Sequence, residues 1–405
     1  MPCRSTAHRP PARPVLRTHT YGPSEPDRRH RAADHGGPVP DRRPLDGARA
    51  GRCGPRNGTR PTDDPGEGLS VPAGRQSFGP QRRPEEQRMT VNTHIEDFHG
   101  LPVLDFSSTV DGGAALPEPG AVAWKIAVEY ETEQDWITRW GQFLDRVDTT
   151  AVTAVVVGAW SPEEPESFAG PLAAILAAAE RLPALRGLFI GDITYEESEI
   201  SWIDMVDVTP VLTAFPLLTE LVVRGAAQEW VEGEGIGLQP VRHEHLRALR
   251  FESGGLPGEV PRAVAASELP ALERLEFWLG VANYGGSTRL ADLEPFLDGT
   301  RFPALRHLGL QNSEIQDEIA AALAHAPVVA RLESLNLSMG VFTDQGATAL
   351  LDGQPLTHLK SLDLHHHFLS RPVQDRLREA LPGVEIDLSE GGNPADRWQY
   401  VAVAE

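Results

Sequence analysis

The chain has 405 residues, a formal net charge of −21 and 40% hydrophobic residues, which on length alone is room for two or three average domains. No run of 18 apolar residues exists, which excludes a membrane-spanning helix, and a cytoplasmic protein is expected. The two cysteines, Cys3 and Cys53, stand early in the chain, which excludes a disulfide framework and a cysteine-ligated zinc from everything after them.

Residues 1–88 carry 17 Arg, no Lys and 10 acidic residues, leaving 20 basic against 48 acidic residues for the remainder. The first part is therefore about +7 and the remainder about −28. Runs such as Arg28-Arg29-His30-Arg31 and Arg42-Arg43-Pro44, frequent proline and the lack of apolar periodicity predict a disordered tail. No apolar stretch of secretory-signal type follows Met1. The Arg, Pro, Gly and Ala bias is what GC-rich DNA yields when translated without selection, so Met89 is expected to be the true start; a basic arm for nucleic acid is the alternative. The acidic remainder repels phosphate backbones, so nucleic acid is not an expected partner of the folded body.

Residues 89–150 are expected to form an N-terminal α/β cap. "AVAWKIAVEY" (121–130) alternates like a strand. "EQDWITRWGQFLDRV" (133–147) places Trp136, Trp140, Phe143, Leu144 and Val147 on one helical face, which reads as core rather than a cofactor box.

From about residue 151 one pattern repeats, L-x-x-L-x-L. It is clearest in "PALRHLGL" (303–310), "ARLESLNL" (330–337) and "THLKSLDL" (357–364), whose leading Leu305, Leu332 and Leu359 are 27 and 27 residues apart. Leu323, Leu350 and Leu377 keep the same spacing, as do Gln316, Thr343 and Ser370. Thr343 and Ser370 are expected helix N-caps, and Pro372 fits a first helical turn. Earlier copies are "TAVTAVVV", "PALRGLFI", "PLLTELVV", "EHLRALRF" and "PALERLEF", led by Val152, Leu185, Leu218, Leu246 and Leu272; "GVEIDLS" (383–389) is a truncated last copy. Each unit supplies a strand and a helix, its inward side chains worth roughly 1.5–3 kcal/mol apiece on burial. A lone unit cannot close a core, so units must stack.

The pattern resembles the leucine-rich-repeat family, in particular the longer, helix-containing class typified by ribonuclease inhibitor, and "FTDQGATALL" (342–351) looks like that class's helix start. The resemblance covers about residues 150–390. It implies an α/β solenoid, a horseshoe with parallel strands on the concave face and helices on the convex face, repeats over 151–390 and a C-terminal cap at 391–405. "MTVNTHIEDFHGLPV", "DITYEESEISWI", "NSEIQDEIAAALA" and "LDLHHH" further resemble a bacterial, largely actinobacterial, group of such proteins without an assigned biochemical role. Relatives of that group tend to be encoded near radical-SAM and ATP-grasp type enzymes, which implies an accessory role in a biosynthetic pathway.

Residues at the x positions of the motif face outward. The middle units put Arg250, Glu252, Arg274, Glu276 and Trp278 on the concave face, a candidate protein-binding patch or a ladder of cross-strand ion pairs. Further on come His307, Gln311, Asn336, Asp363, His365 and Asp387. Of the three consecutive histidines, His366 and His367 are expected in the turn, with His367 satisfying its backbone groups. Asp363, His365 and Asp387 could converge on a metal or support acid–base chemistry. The longer unit "DITYEESEISWIDMVDVTP" (192–210) inserts a loop with Tyr195, Glu196, Glu199 and Trp202, a second candidate contact that lacks the calcium-loop pattern. The expected function is a non-catalytic scaffold that binds a protein or peptide through its concave face, with no cofactor and no resident metal. The alternative is a metal-dependent or acid–base enzyme component.

Overall fold

The computed structural model describes residues 92–129, 134–161, 166–226 and 235–404. The tail 1–88 and Met89 lie outside them. The chain divides after Ser77, and all described residues belong to the second unit, Phe78–Glu405.

In chain order this unit contains β1 (Asp97–Phe98), β2 (Leu101–Asp105), α1 (Phe106–Asp111), β3 (Ala123–Ile126), α2 (Trp136–Arg146), β4 (Ala154–Val157), α3 (Ala169–Ala177), β5 (Gly187–Ile190), α4 (Thr209–Ala214) and β6 (Glu220–Arg224). There follow β7 (Ala248–Glu252), α5 (Glu259–Ala266), β8 (Arg274–Gly280), α6 (Leu290–Leu297), β9 (His307–Ser313), α7 (Gln316–Leu323), β10 (Ser334–Asn336), α8 (Asp344–Asp352), β11 (Ser361–Asp363), α9 (Arg371–Ala380) and β12 (Glu385–Asp387).

The strands form one open sheet in sequence order, parallel from β2 to β12, with β1 antiparallel to β2 at the edge. The register is the one the repeat demands. Leu275, Leu308, Leu335, Leu362 and Ile386 pair in one row across five strands. The leading leucines Leu305, Leu332 and Leu359 are buried with them, alongside Ile319, Leu350 and Leu377 from the helices. Alternate side chains therefore pack under the helices, and the intervening ones face the opposite, strand-lined side.

Each late unit leaves its strand through a left-handed residue at an equivalent position: Asn312 (φ 55°), Met339 (φ 69°) and His366 (φ 53°). Their backbone N–H groups donate to the carbonyls of Ser338, His365 and Ser389 on the next unit, at 2.9, 2.8 and 3.0 Å. Only a conformation uncommon for side chains larger than glycine turns the chain this sharply, and the bond to the neighbouring unit holds it there.

The helix start expected at Thr343 is present: its hydroxyl oxygen accepts from the Gln345 N–H at 3.2 Å. Ser370 stands at the cap of α9 without a side-chain bond; its own N–H donates to Asp344 of the preceding unit at 2.8 Å. Pro372 lies in the first turn of α9.

Trp136, Trp140 and Phe143 on α2 are core, packed with Phe106 and Trp124; the two indoles stack at 5.4 Å. The expected cap boundary near 150 is not a break in the structure, because Trp124 of β3 pairs with Val155 of β4 and the sheet runs on through β2. The C-terminal segment also does more than cover the last unit. Tyr400 O meets His366 Nε2, Ala402 N–H donates to Met339 O, Val403 is held by the Asn312 side chain, and Ala404 O accepts from Ser201 Oγ. It runs back along the turn edge of the stack as a strap.

Candidate functional site

The strand-lined face has two chemically different parts. In the first repeats the outward positions are Val156, Phe189 and Val222, which form an apolar cluster with Ala123, Ala154 and Phe98. Phe98, from β1, packs edge-to-face on Phe189 at 5.7 Å, and His99 Nδ1 meets Glu220 Oε2 at 2.8 Å. The N-terminal segment thus covers this part of the face. Sequence reasoning did not anticipate the plug. Its signal was the apolar residue at the outward position of "TAVTAVVV", "PALRGLFI" and "PLLTELVV", where later units carry Arg250, Glu276, Asn336 and Asp363.

Beyond the plug a chain of charges crosses the sheet. Lys125 Nζ lies 2.8 Å from Asp192 Oδ2, and Arg224 reaches Asp192 at 3.9 Å and Glu252 at 2.6 Å. Arg250 bridges Glu252 at 3.0 Å and Glu276 at 3.5 Å. Glu276 also receives Arg274 at 3.2 Å, His307 Nε2 at 3.0 Å and the Gln311 side-chain amide at 3.3 Å. Burial raises the Asp192 carboxyl, but His94 and Lys125 outweigh it and hold the group down to about 2. Burial likewise works against ionisation of Glu276, and Arg250 with His307 more than reverse it, leaving the carboxyl far below the usual range. Burial lowers Arg250, and Glu276 and Glu252 more than restore it, so this guanidinium stays charged.

The predicted contact residues divide accordingly. Glu252, Glu276, His307 and Gln311 are buried within the ladder. Arg250 and Arg274 keep outward ends, their side chains 35% and 55% exposed, beside a shallow depression also lined by Glu220, Val222 and Glu276. Trp278 is a correction. It was expected on display but is 2% exposed and packed in the main core. Val403 belongs to the same core cluster; it is bonded to Asn312, and Ala404 lies against Gly254.

Toward the C-terminal end, Asn336, Asp363 and Asp387 pair in one row on β10, β11 and β12. Each side-chain oxygen accepts the backbone N–H two residues on, from Ser338, His365 and Ser389, at 2.9, 3.0 and 2.9 Å. These bonds fix the three side chains. His365 Nδ1 lies 2.8 Å from Asp363 Oδ1, and Asn336 Nδ2 donates to Asp363 Oδ2 at 3.3 Å. Burial lowers the His365 imidazole, but the Asp363 hydrogen bond and charge raise it above its ordinary value. One ring nitrogen of His365 and one oxygen from each of Asp363 and Asp387 lie within 4.8 Å of one another. This is the group able to hold a metal among the described residues.

The other two histidines point elsewhere. His366 sits in the turn with Nε2 on Tyr400 O, and buried His367 accepts the Leu369 N–H at Nδ1 (3.0 Å) and bonds Leu388 O through Nε2 (3.2 Å). Burial pushes the His367 imidazole down, which suits a ring that must accept at one nitrogen. In the inserted loop Tyr195, Glu196 and Trp202 are exposed, while half-buried Glu199 accepts from Trp202 Nε1 at 3.1 Å. Ser201 ties this loop to the strap. The loop residues and the acidic row do not form one site.

No protein-family model matches the chain, and neither does any curated protein. Among solved structures, a protein from Bacteroides fragilis, determined as a structural-genomics target, aligns with a TM-score of 0.63 at 29% identity, covering 74% of this chain and 83% of that one. TLR13 in its complex with ssRNA13 aligns with a TM-score of 0.27 at 15% identity, over 60% of this chain and 37% of TLR13. A leucine-rich-repeat (LRR) protein of Leptospira interrogans aligns with a TM-score of 0.17 at 11% identity, over 59% of this chain and 90% of that one. Of the three, the first bears on the fold. No helix among the described residues is long and apolar enough to cross a membrane.

Proposed function

We propose that this chain, whose fold is a leucine-rich-repeat solenoid, is a non-catalytic scaffold that binds a protein or peptide on the uncovered part of its strand-lined face, from β7 to β12. The observation that carries the reading is the division of that face: the N-terminal part is already filled by Phe98, while Arg250, Arg274, Asp363 and Asp387 keep partly exposed polar ends on a rigid sheet. A fitting partner sets a carboxylate against the two arginines and a cation against the two aspartates. The body's negative charge disfavours nucleic acid.

Affinity purification from the native cell tests this, with the intact chain compared against Arg274→Glu and Asp363→Lys. A partner retained by the intact chain and lost by both variants supports the reading. Partners that ignore both changes contradict it. A second reading, a metal-dependent or acid–base component, is favoured by the convergence of Asp363, His365 and Asp387; an activity lost in His365→Ala with partner binding intact would select it.

A further inference from the structure

We infer that the inserted loop and the C-terminal strap together form a second docking surface, along the turn edge of the stack, for an extended arginine-bearing segment of a partner protein. Six large apolar side chains are exposed among the described residues, and four of them, Tyr195, Trp202, Trp398 and Tyr400, lie on these two segments. The Ser201 hydroxyl donates to Ala404 O, and both atoms press on Gly254, where a Cβ would collide with them. That contact joins the loop to the end of the strap, and the bond between His366 and Tyr400 O holds the strap further back. The chain from Trp398 to Ala404 spans at most about 21 Å, so Trp202, Tyr400 and Trp398 share a strip that about eight extended residues of a partner would cover.

The rings are fixed as well as exposed. Trp202 donates its Nε1 to Glu199 at 3.1 Å, and Tyr400 packs edge-on against His366 and Phe368 with ring centroids 5.3 and 5.8 Å away. A ring that is already held loses little freedom on binding, and Trp and Tyr are residue types that anchor docked partners. The charge of the occupant follows from the carboxylates beside these rings. Glu196 is exposed on the loop next to Tyr195, and Glu390 is exposed in the turn next to Ser389, whose carbonyl holds the His366 N–H. Arg397 lies over the Trp398 ring at 5.8 Å, so this indole already receives a guanidinium within its own chain, and Trp398 is 80% exposed nonetheless. A guanidinium stacks flat on an aromatic face while its N–H fork reaches a carboxylate, which the compact ammonium of lysine does not do. The same acidity repels nucleic acid and anionic lipid.

This goes beyond the scaffold reading, and either can stand without the other. The test is fluorescence anisotropy of a labelled eight-residue peptide, arginine alternating with alanine, titrated with the full chain; the matching lysine peptide is run beside it. The expected result is one arginine peptide bound per chain with micromolar affinity, about tenfold weaker in Trp202→Ala and in Trp398→Ala, and several-fold weaker binding of the lysine peptide. Both tryptophans are exposed, so neither change should threaten folding. Leu217→Ala, exposed outside these segments, and Asp363→Asn, on the strand-lined face, should leave the affinity unchanged. Equal affinity for every variant, equal affinity for the two peptides, or a loss in Asp363→Asn in place of the tryptophan variants overturns the inference.

Discussion

Lys125 Nζ and Asp192 Oδ2 lie 2.8 Å apart across 67 residues of sequence, with side chains only 7% and 0% exposed. Asp192 is also the acceptor for the Ile95 N–H at 3.2 Å and a neighbour of His94 at 3.3 Å. A single carboxylate therefore joins the N-terminal segment, β3 and the arginine ladder.

That carboxylate makes the fold acid-sensitive. Its folded value, about 2, lies below the ordinary 3.8, so its contribution is fully present above pH 5 and is lost as pH falls toward 2. The loss amounts to about 2 kcal/mol. Denaturant titrations at pH 7, 4 and 2.5 should show it, and Asp192→Asn should flatten this part of the profile. A variant with the same pH slope as the parent contradicts the assignment.

Removal of the partner alone should be harsher than neutralising the pair. Lys125→Ala leaves buried Asp192 with only the more distant Arg224 and His94 beside it and should cost up to about 3–5 kcal/mol at pH 7. A loss below about 1 kcal/mol in chemical denaturation would show that water reaches the pair.

The leucine row carries the stack. Leu335→Ala should destabilise by about 2–5 kcal/mol, because Leu335 is buried in the row between Leu308 and Leu362. Exposed Leu217→Ala should change stability by less than about 0.5 kcal/mol. Equal effects would mean the row is not packed as described.

Phe98 and the strap predict two kinds of opening. Phe98→Ala should expose Val156, Phe189 and Val222 and increase binding of a hydrophobic dye. Asn312 bonds Val403 through both its oxygen and its nitrogen, so Asn312→Ala should cost about 1–3 kcal/mol and should release the strap to proteolysis. Unchanged dye binding or unchanged cleavage would place these segments elsewhere.

The repeat was legible because a two-residue alternation and a 27-residue period leave a mark at every unit. Leu305, Leu332 and Leu359 could be assigned from spacing, and so could the turn role of His367. Long-range coverings leave no such mark. Nothing local in "GGNPADRWQYVAVAE" distinguishes the tail around Val403 from any short polar–apolar stretch, so its return to Asn312 and Ser201 was not foreseeable, and neither was the burial of Trp278 from that residue's alternation. The N-terminal plug was legible in principle, since Val156, Phe189 and Val222 are apolar at positions that solvent would leave polar. The burial of Glu252, His307 and Gln311 follows from charges satisfying one another across strands, which a single strand's pattern does not reveal.

The scaffold account stands most directly on one measurement: the affinity of the co-purified partner for the intact chain and for Arg274→Glu, both confirmed folded by their melting temperatures, across a salt series. The account predicts at least a tenfold weaker complex for the variant and an affinity of the parent that falls with salt, as partly exposed charges require. Equal affinities for both chains at every salt concentration would contradict it.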